Sequence, residues 1–452
     1  MNKRRQRKRK LPSQAIELDI QRLSHDGRGV GSIDGKVAFV AGSLPGERVS
    51  AQYIRKRSQL DELRTETVLE SAESRVVPDC EFASLCGGCS LQYMQAEAQI
   101  AFKKSVLFEK LAHATSLSEH EIESLPSLAA KSYHYRTKAR LAVRYVAKKG
   151  GTLVGFREKH SSFIVDMNNC SVLVQEVADL IKPLRDFING LHCRDLIPQI
   201  EVAVGENYGR KQVALVIRHL LPVNDEDLAA LQNFGKQHVC EIYLQSGGVD
   251  TVTKCWPEDG VQRLHYQLDD YGLTMAFHPM DFTQVNSEIN QQMIPLAIQL
   301  LELKPQDTVL DLYSGLGNFT LPIATKCKKI VGVEGSQAMV ARGQENAVAN
   351  GIENASFYAA DLTKPITGEL WADQHFDKVL LDPPRSGAIE IVDQIAQFGA
   401  EKIVYVSCNP STLARDAAKL ISQGYNLVSA GVMDMFPHTA HVESIALFER
   451  IK

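Results

Sequence analysis

The chain has 452 residues, 44% of them apolar, a formal net charge of −4 and nine cysteines. Single cores stop growing at about 250–300 residues, so the length calls for two or three domains. No run of 18 apolar residues is present, which argues against a membrane-spanning helix, and an odd set of scattered cysteines argues against a disulfide framework. The expectation is a multi-domain, monomeric cytoplasmic protein with no membrane partner.

Charge is unevenly spread. Residues 1–60 carry 14 Lys/Arg against 5 Asp/Glu, a net of +9 that leaves −13 for the remainder. The N-terminal end is therefore a candidate polyanion-binding end. It opens with "KRRQRKRK", Lys3–Lys10, which has no core-forming residue and is expected to be a disordered basic tail over residues 1–11. Such a tail either solubilises the chain or adds salt-dependent phosphate contacts.

From residue 12 to 70 the pattern is one of short alternating segments, "IELDIQRL", "KVAFVAG" and "RVSAQYIRK", separated by glycine turns. That spacing predicts a small β-barrel. The stretch "AFVAGSLPGERV" resembles the TRAM domain, an OB-like RNA-binding module; a barrel that merely packs on its neighbour is the alternative.

Residues 71–270 read as a less regular α+β region. Leu91–Ala112 has helical periodicity. "YHYRTKARLAVRY", Tyr133–Tyr145, predicts a strand with Arg136, Lys138, Arg140 and Arg144 on one face and Tyr135, Leu141 and Val143 on the other. That face is either an RNA-facing basic stripe or a solvated edge whose charges block aggregation.

Within the same region Cys80, Cys86 and Cys89 form a C-x5-C-x2-C set enclosing Gly87 and Gly88, and the nearest downstream candidate for a fourth ligand is Cys170. Closely spaced cysteines with glycines let backbone amides reach cluster sulfurs, which favours an iron–sulfur site. Zinc is the alternative, although structural zinc sites usually present two close pairs.

From residue 271 to 452, apolar runs alternate with turns and helical segments: "DTVLDLYSG", "KIVGVEGS", "ASFYAADL", "FDKVLLDPP", "KIVYVSCNP" and "VESIALFER". Continuous apolar strands alternating with helices indicate a mostly parallel, doubly wound α/β sheet. In "VLDLYSGLGNFT", Asp311 comes before Gly315 and Gly317, and Thr320 stands where a dinucleotide fingerprint has its third glycine. Glu334, Asp361 and Asp382 follow at the ends of successive strands. An acidic series beside a Gly-x-Gly turn suits a cationic, ribose-containing cofactor and resembles S-adenosyl-L-methionine-dependent methyltransferases.

Cys408 follows the next strand in "VSCNP". Carbon 5 of a resting pyrimidine is a poor nucleophile, and thiolate addition at carbon 6 makes it enolate-like. The product must then lose its carbon 5 proton, and Glu443 in "HTAHVESI" is the candidate base. His438 and His441 beside it suggest a metal site as an alternative, but no further ligand is near in sequence.

"DFTQVN", "DLYSGLGNFT", "VGVEGS", "LLDPPRSG", "VSCNPSTLARD" and "HTAHVESI" together resemble the RNA uracil-5-methyltransferase family. The resemblance implies Cys408 as nucleophile and Glu443 as base. It implies that Gln284, Tyr313, Asn318, Glu334, Asp361 and Asp382 bind S-adenosyl-L-methionine, Asp382 lying between cofactor and base; Tyr313 stands where many members have Phe. Arg385 is a candidate for stabilising the enolate oxygen. The cysteine set resembles the [4Fe-4S] motif of the ribosomal branch, with Cys80, Cys86, Cys89 and Cys170 as ligands. A chain carrying both the motif and a TRAM domain is similar to the longer 23S ribosomal RNA branch, which implies a uridine of the 1939 type as target. A cytosine-5 methyltransferase is the nearer rival, though it commonly has cysteine where Arg385 stands. An RNA-binding regulator with a decayed catalytic domain is the more distant one.

Overall fold

A computed structural model of the chain describes residues 11–260 and 262–451. The basic tail up to Lys10 lies outside the described residues. The chain forms two compact units, residues 1–102 with 438–441, and residues 103–437 with 442–452.

In the first unit, β1 (Ile16–Asp19), β2 (Arg22–Leu23), β3 (Gly29–Ile33), β4 (Lys36–Ala41), β5 (Arg48–Lys56) and β6 (Leu60–Glu70) form one sheet. Its order is β1-β5-β6-β4-β3-β2. The sheet curls around Leu18, Ile20, Ala38, Val40, Val49, Ala51, Tyr53 and Leu63, the alternate residues of its strands. Helix α1 (Ala96–Thr115) begins five residues later than periodicity predicts. The cause is local: the Gln99 amide donates to the carbonyls of both Leu91 and Met94, holding that segment as a turn.

The second unit contains β7 (Glu123–Ser124) and a mixed sheet of β8 (Lys138–Val146), β9 (Gly151–Gly155), β10 (Gln199–Asn207), β11 (Arg210–Arg218), β12 (Cys240–Gln245) and β13 (Val252–Trp256). Helices α2 (Gln175–Ala178), α3 (Ile181–Gly190) and α4 (Asp225–Gln237) accompany it. Neighbours are antiparallel except β11 and β12, which α4 connects as a crossover.

The predicted basic strand starts later than expected, at Lys138. Arg140 and Arg144 are exposed and Leu141 and Val143 buried, as alternation requires. Arg136 and Lys138 instead turn to structural use. The Arg136 guanidinium donates to the Lys138 carbonyl, and the Lys138 ammonium donates to the carbonyl of Asp281. Arg140 in turn meets the Glu201 carboxylate at 2.9 Å, so three of the four cations of the stripe have partners within the fold.

A hairpin of β14 (Leu264–Leu268) and β15 (Leu273–Phe277) precedes α5 (Ser287–Leu301). The large sheet follows with β16 (Thr308–Leu312), α6 (Thr320–Ala324), β17 (Lys329–Glu334), α7 (Gln337–Ala349), β18 (Ala355–Ala359), β19 (Lys378–Leu381), α8 (Ile389–Val392), β20 (Lys402–Ser407), α9 (Pro410–Ser422), β21 (Tyr425–Met433) and β22 (Glu443–Arg450). Its order is β18-β17-β16-β19-β20-β22-β21-β7. The first five strands are parallel, and β22 runs antiparallel to both β20 and β21. Strand order reverses direction between β16 and β19, the switch point at which open α/β sheets bind ligands. Fully buried Val309, Leu310, Val331, Val379, Leu380 and Val404 make the centre of this sheet.

Candidate active site

Gly315 and Gly317, with φ of 56° and 98°, form the turn after β16, a conformation that side chains rarely adopt. Tyr313, itself at φ 66°, is half-buried, and its backbone N–H donates to the carbonyl of Val333 at 2.8 Å. Burial pushes its hydroxyl up to about 12. Glu334 ends β17; its Oε2 accepts from the N–H of Gly315 at 3.2 Å and its Oε1 from Ser336 at 2.9 Å. Asp361 lies two residues beyond β18, exposed, with its carboxyl held down to about 2 by the Thr363 hydroxyl and then Lys364. Ser314 Oγ, buried beside this turn, has no hydrogen-bond partner among the described residues.

Asp311 is placed differently from expectation. It lies within β16, fully buried, and its Oδ2 accepts the Thr320 hydroxyl at 2.5 Å. Burial first, then the Asp382 and Glu334 carboxylates, raises it to about 8, and its Oδ2 ties strand to helix.

Asn318 is also committed within the protein. Its Oδ1 accepts from the Tyr266 hydroxyl at 2.9 Å and from Asn290 at 3.1 Å, while its own amide donates to Asn290 Oδ1 at 2.9 Å. Gln284 lines a cavity of about 580 Å³ together with Tyr266, Phe277, Asn290 and Thr137. The segment carrying Gln284 is fastened at both ends. Arg342 binds the Asp281 carboxylate at 2.9 Å, and the Thr137 N–H donates to the Val285 carbonyl at 2.9 Å. No short motif foretold these clamps, since Thr137 and Arg342 are far from residue 284 in sequence.

Asp382 and Cys408 are the first residues after β19 and β20, so the two parallel strands deliver them to one edge of the sheet. β22 runs the other way, and Ser407 stands opposite Ser444 in the last paired rung. The next residue outward on each strand is Cys408 on one side and Glu443 on the other. Burial, reinforced by the Glu443 and Asp382 carboxylates and opposed by Arg385, pushes the Cys408 thiol up to about 11. Burial likewise raises Glu443 to about 8 and Asp382 to about 7, with Asp382 adding to the first and Arg385 and Lys103 opposing it.

The loop between them is braced by α9. Asn409 caps this helix, accepting from the Ser411 N–H at 3.1 Å, with Pro410 in the first turn. Its side-chain amide also donates to the Arg385 carbonyl at 3.0 Å, and Arg415 donates to the Ser386 carbonyl at 3.0 Å. Buried Asp416 accepts from the Tyr405 hydroxyl at 2.6 Å and from the Ala388 N–H at 2.7 Å. The geometry thus combines a thiol, two carboxylates of raised proton affinity and an exposed guanidinium, a set suited to nucleophilic addition and proton transfer.

In the first unit, Cys86 is buried and Cys80 and Cys89 are half-buried. The Gly88 N–H donates to Cys86 Sγ at 3.4 Å and the Gln92 amide to Cys89 Sγ at 3.4 Å. Cys170 is buried in the second unit. Among the described residues, no three His, Cys, Asp or Glu side chains are disposed to hold a metal ion. No helix among the described residues is long and apolar enough to cross a membrane.

Comparison with known proteins bears on the whole chain. A family model for tRNA (uracil-5-)-methyltransferase matches residues 96–451, and a TRAM domain model matches residues 9–56. The chain is 52% identical over 448 residues to the 23S rRNA (uracil(1939)-C(5))-methyltransferase RlmD of Hahella chejuensis, covering 98% of this chain and 99% of that protein. It is 48% identical over 433 residues to the protein of the same description from Legionella pneumophila, covering 95% and 96%. The crystal structure of Pyrococcus abyssi tRNA (uracil-54, C5)-methyltransferase in complex with S-adenosyl-L-homocysteine aligns with a TM-score of 0.71 at 24% identity, over 96% of this chain and 100% of that one, which shows a common fold. The chain belongs to the tRNA (uracil-5-)-methyltransferase family and carries a TRAM domain at its N-terminal end.

Proposed function

We propose that this protein transfers a methyl group from S-adenosyl-L-methionine to carbon 5 of one uridine in 23S ribosomal RNA, the uridine-1939 type, through a covalent Cys408 adduct. The observation that carries this reading is the rung geometry: Cys408 and Glu443 continue opposite strands past Ser407 and Ser444, with Asp382 at the same edge.

Cys408, its proton given up to solvent, adds as the thiolate to carbon 6 of the uracil, and the ring's electron pair shifts to give an enolate whose oxygen Arg385 can face. Carbon 5 becomes nucleophilic and is methylated. Glu443 then takes the carbon 5 proton, the carbon 5–carbon 6 double bond re-forms, and the carbon 6–sulfur bond breaks to return the thiolate. The raised proton affinity of Glu443 suits it to accept a carbon-bound proton. A paired uridine is out of the thiol's reach, so the target is flipped out, its unstacking offset by RNA contacts elsewhere on the TRAM sheet and the exposed Arg140 and Arg144.

Gln284, Tyr313, Asn318, Glu334, Asp361 and Asp382 are the residues that would hold the cofactor. The glycine turn, the Glu334 carboxylate and the buried, unpartnered Ser314 hydroxyl fit a ribose-containing ligand. When bound, S-adenosyl-L-methionine supplies an electrophilic methyl on a sulfonium. The protein's part is to orient carbon 5, keep water out and move the protons.

Cys80, Cys86, Cys89 and Cys170 are proposed as ligands of a [4Fe-4S] cluster. Amide donors already directed at two of these sulfurs support that choice over an inert thiol set. Lying apart from the strand-end residues in sequence, the cluster is assigned to ordering the fold or gripping RNA.

The test is incubation of anaerobically purified protein with methyl-labelled cofactor and unmodified 23S RNA, followed by digestion to nucleosides. Label in 5-methyluridine supports the proposal. Label in 5-methylcytidine, or none despite bound cofactor, refutes it.

A further inference from the structure

Lys103 on α1 is among the largest fully buried side chains, its side chain 1% exposed. Its Nζ lies 2.5 Å from Asp434 Oδ1 and 2.9 Å from the Phe436 carbonyl oxygen. Those contacts account for two of the three N–H donors of an ammonium. Asp434 is 5% exposed. Its position follows from sheet register, since Met433 is the residue paired with Glu443 and Asp434 is the next one along.

A buried ion pair is poor at stabilising a fold; apolar residues of similar volume do as well or better. This one stands beside the residue assigned as base. Glu443 faces Asp382 and Cys408 from the ends of β19 and β20, Arg385 from the loop after β19, and Lys103 from α1. Burial first and then Asp382 oppose its ionisation, and Arg385 and Lys103 favour it. Arg385 is exposed, so water and salt screen its charge, whereas the charge of Lys103 is not screened in that way.

We infer that Lys103, anchored by Asp434, is a positioning residue for the methyl-transfer reaction: it supplies the buried positive charge against which the Glu443 carboxylate is held for removal of the carbon 5 proton. This rests on Glu443 being the base. Burial lowers the proton affinity of Lys103, and Asp434 and then Glu443 oppose that; in the step itself only the carbon 5 proton moves, to Glu443.

The experiment follows resolution of the RNA–protein adduct in single turnovers by denaturing gel between pH 5.5 and 9.5, using full-length protein. In Lys103→Met the midpoint of the acid limb is expected to move up by about one unit or more, so that at pH 7 the adduct resolves about tenfold more slowly and accumulates, with the rate recovered at high pH. Lys103→Arg is expected to restore the limb. Should Lys103→Met fail to fold, the double change Lys103→Met/Asp434→Leu replaces the pair with apolar volume and is expected to shift the limb the same way. A uniform loss of rate with an unmoved midpoint, in whichever variant folds, overturns the inference. Glu443→Gln run in parallel separates the two levels: if that variant resolves the adduct normally, it is the assignment of the base that fails.

Discussion

Cys408 and Glu443 are the first residues beyond the last paired rung of β20 and β22, in which Ser407 stands opposite Ser444. Parallel β20 brings the thiol to the ligand-binding edge of the sheet, and antiparallel β22 starts at that edge, so residues 35 positions apart in sequence meet without any loop to place them. Sites carried on strand ends are held more tightly than sites on loops.

If the thiol is the nucleophile, Cys408→Ala should lower single-turnover methylation by at least about 10³-fold while RNA binding stays within about twofold. Filter binding and label transfer measured on one preparation check both halves. Retained methylation would show that the cysteine only fills space.

Arg385 opposes the proton affinity of both Cys408 and Glu443. Arg385→Ala should therefore move the acid limb of methylation to higher pH, by less than Lys103→Met does because the Arg385 charge is screened, with Arg385→Lys keeping most of the rate. A pH–rate profile decides, and an unmoved limb would confine Arg385 to its backbone contacts with Asn409 and Thr412.

One fully buried carboxyl, Asp311, and two half-buried ones, Asp382 and Glu443, make stability depend on pH in an unusual direction. Asp311 at about 8, Asp382 at about 7 and Glu443 at about 8 all lie above their ordinary values, chiefly through burial. Between about pH 5 and 8 the folded chain then binds more protons than the unfolded one, and stability falls as pH rises through that window. Asp361, held down to about 2, contributes only below about pH 4. Thermal melts should show Tm decreasing from pH 6 to pH 8.5, and Asp311→Asn should flatten the slope while preserving an acceptor for Thr320. A Tm that rises across this range would contradict the burial of these acids.

Asp416 is 0% exposed and accepts from Tyr405 and from the backbone of Ala388, so it anchors the loop that carries Arg385. Asp416→Ala leaves both donors unsatisfied and should cost about 2–4 kcal/mol, with kcat falling more than cofactor affinity. Urea unfolding and a cofactor titration test the two parts.

Much of this arrangement is visible in the sequence because strand-end residues are marked by their surroundings. Asp382 before two prolines, Cys408 before Asn-Pro, and Glu334 after a run of small apolar residues each sit where a continuous apolar strand must stop. Asp311 is the exception: its spacing resembles that of a ligand-facing acid, but Thr320, nine residues on, takes its carboxylate into the core. Lys103 and Asp434 are 331 positions apart, and nothing local distinguishes that lysine from Lys104 beside it. Nor does periodicity reveal that the two-residue β7 adds itself beside β21, or that Arg136 and Lys138 turn inward, because register between distant segments is set by packing.

The most direct test is to react Glu443→Gln protein with cofactor and 23S RNA, digest the denaturation-resistant species with protease and nuclease, and sequence the modified peptide by mass spectrometry. A methylated uridine nucleotide attached to Cys408 is the predicted result. No adduct while the variant turns over freely, or an adduct on any other residue, would contradict the assignment of Cys408 as nucleophile and Glu443 as base.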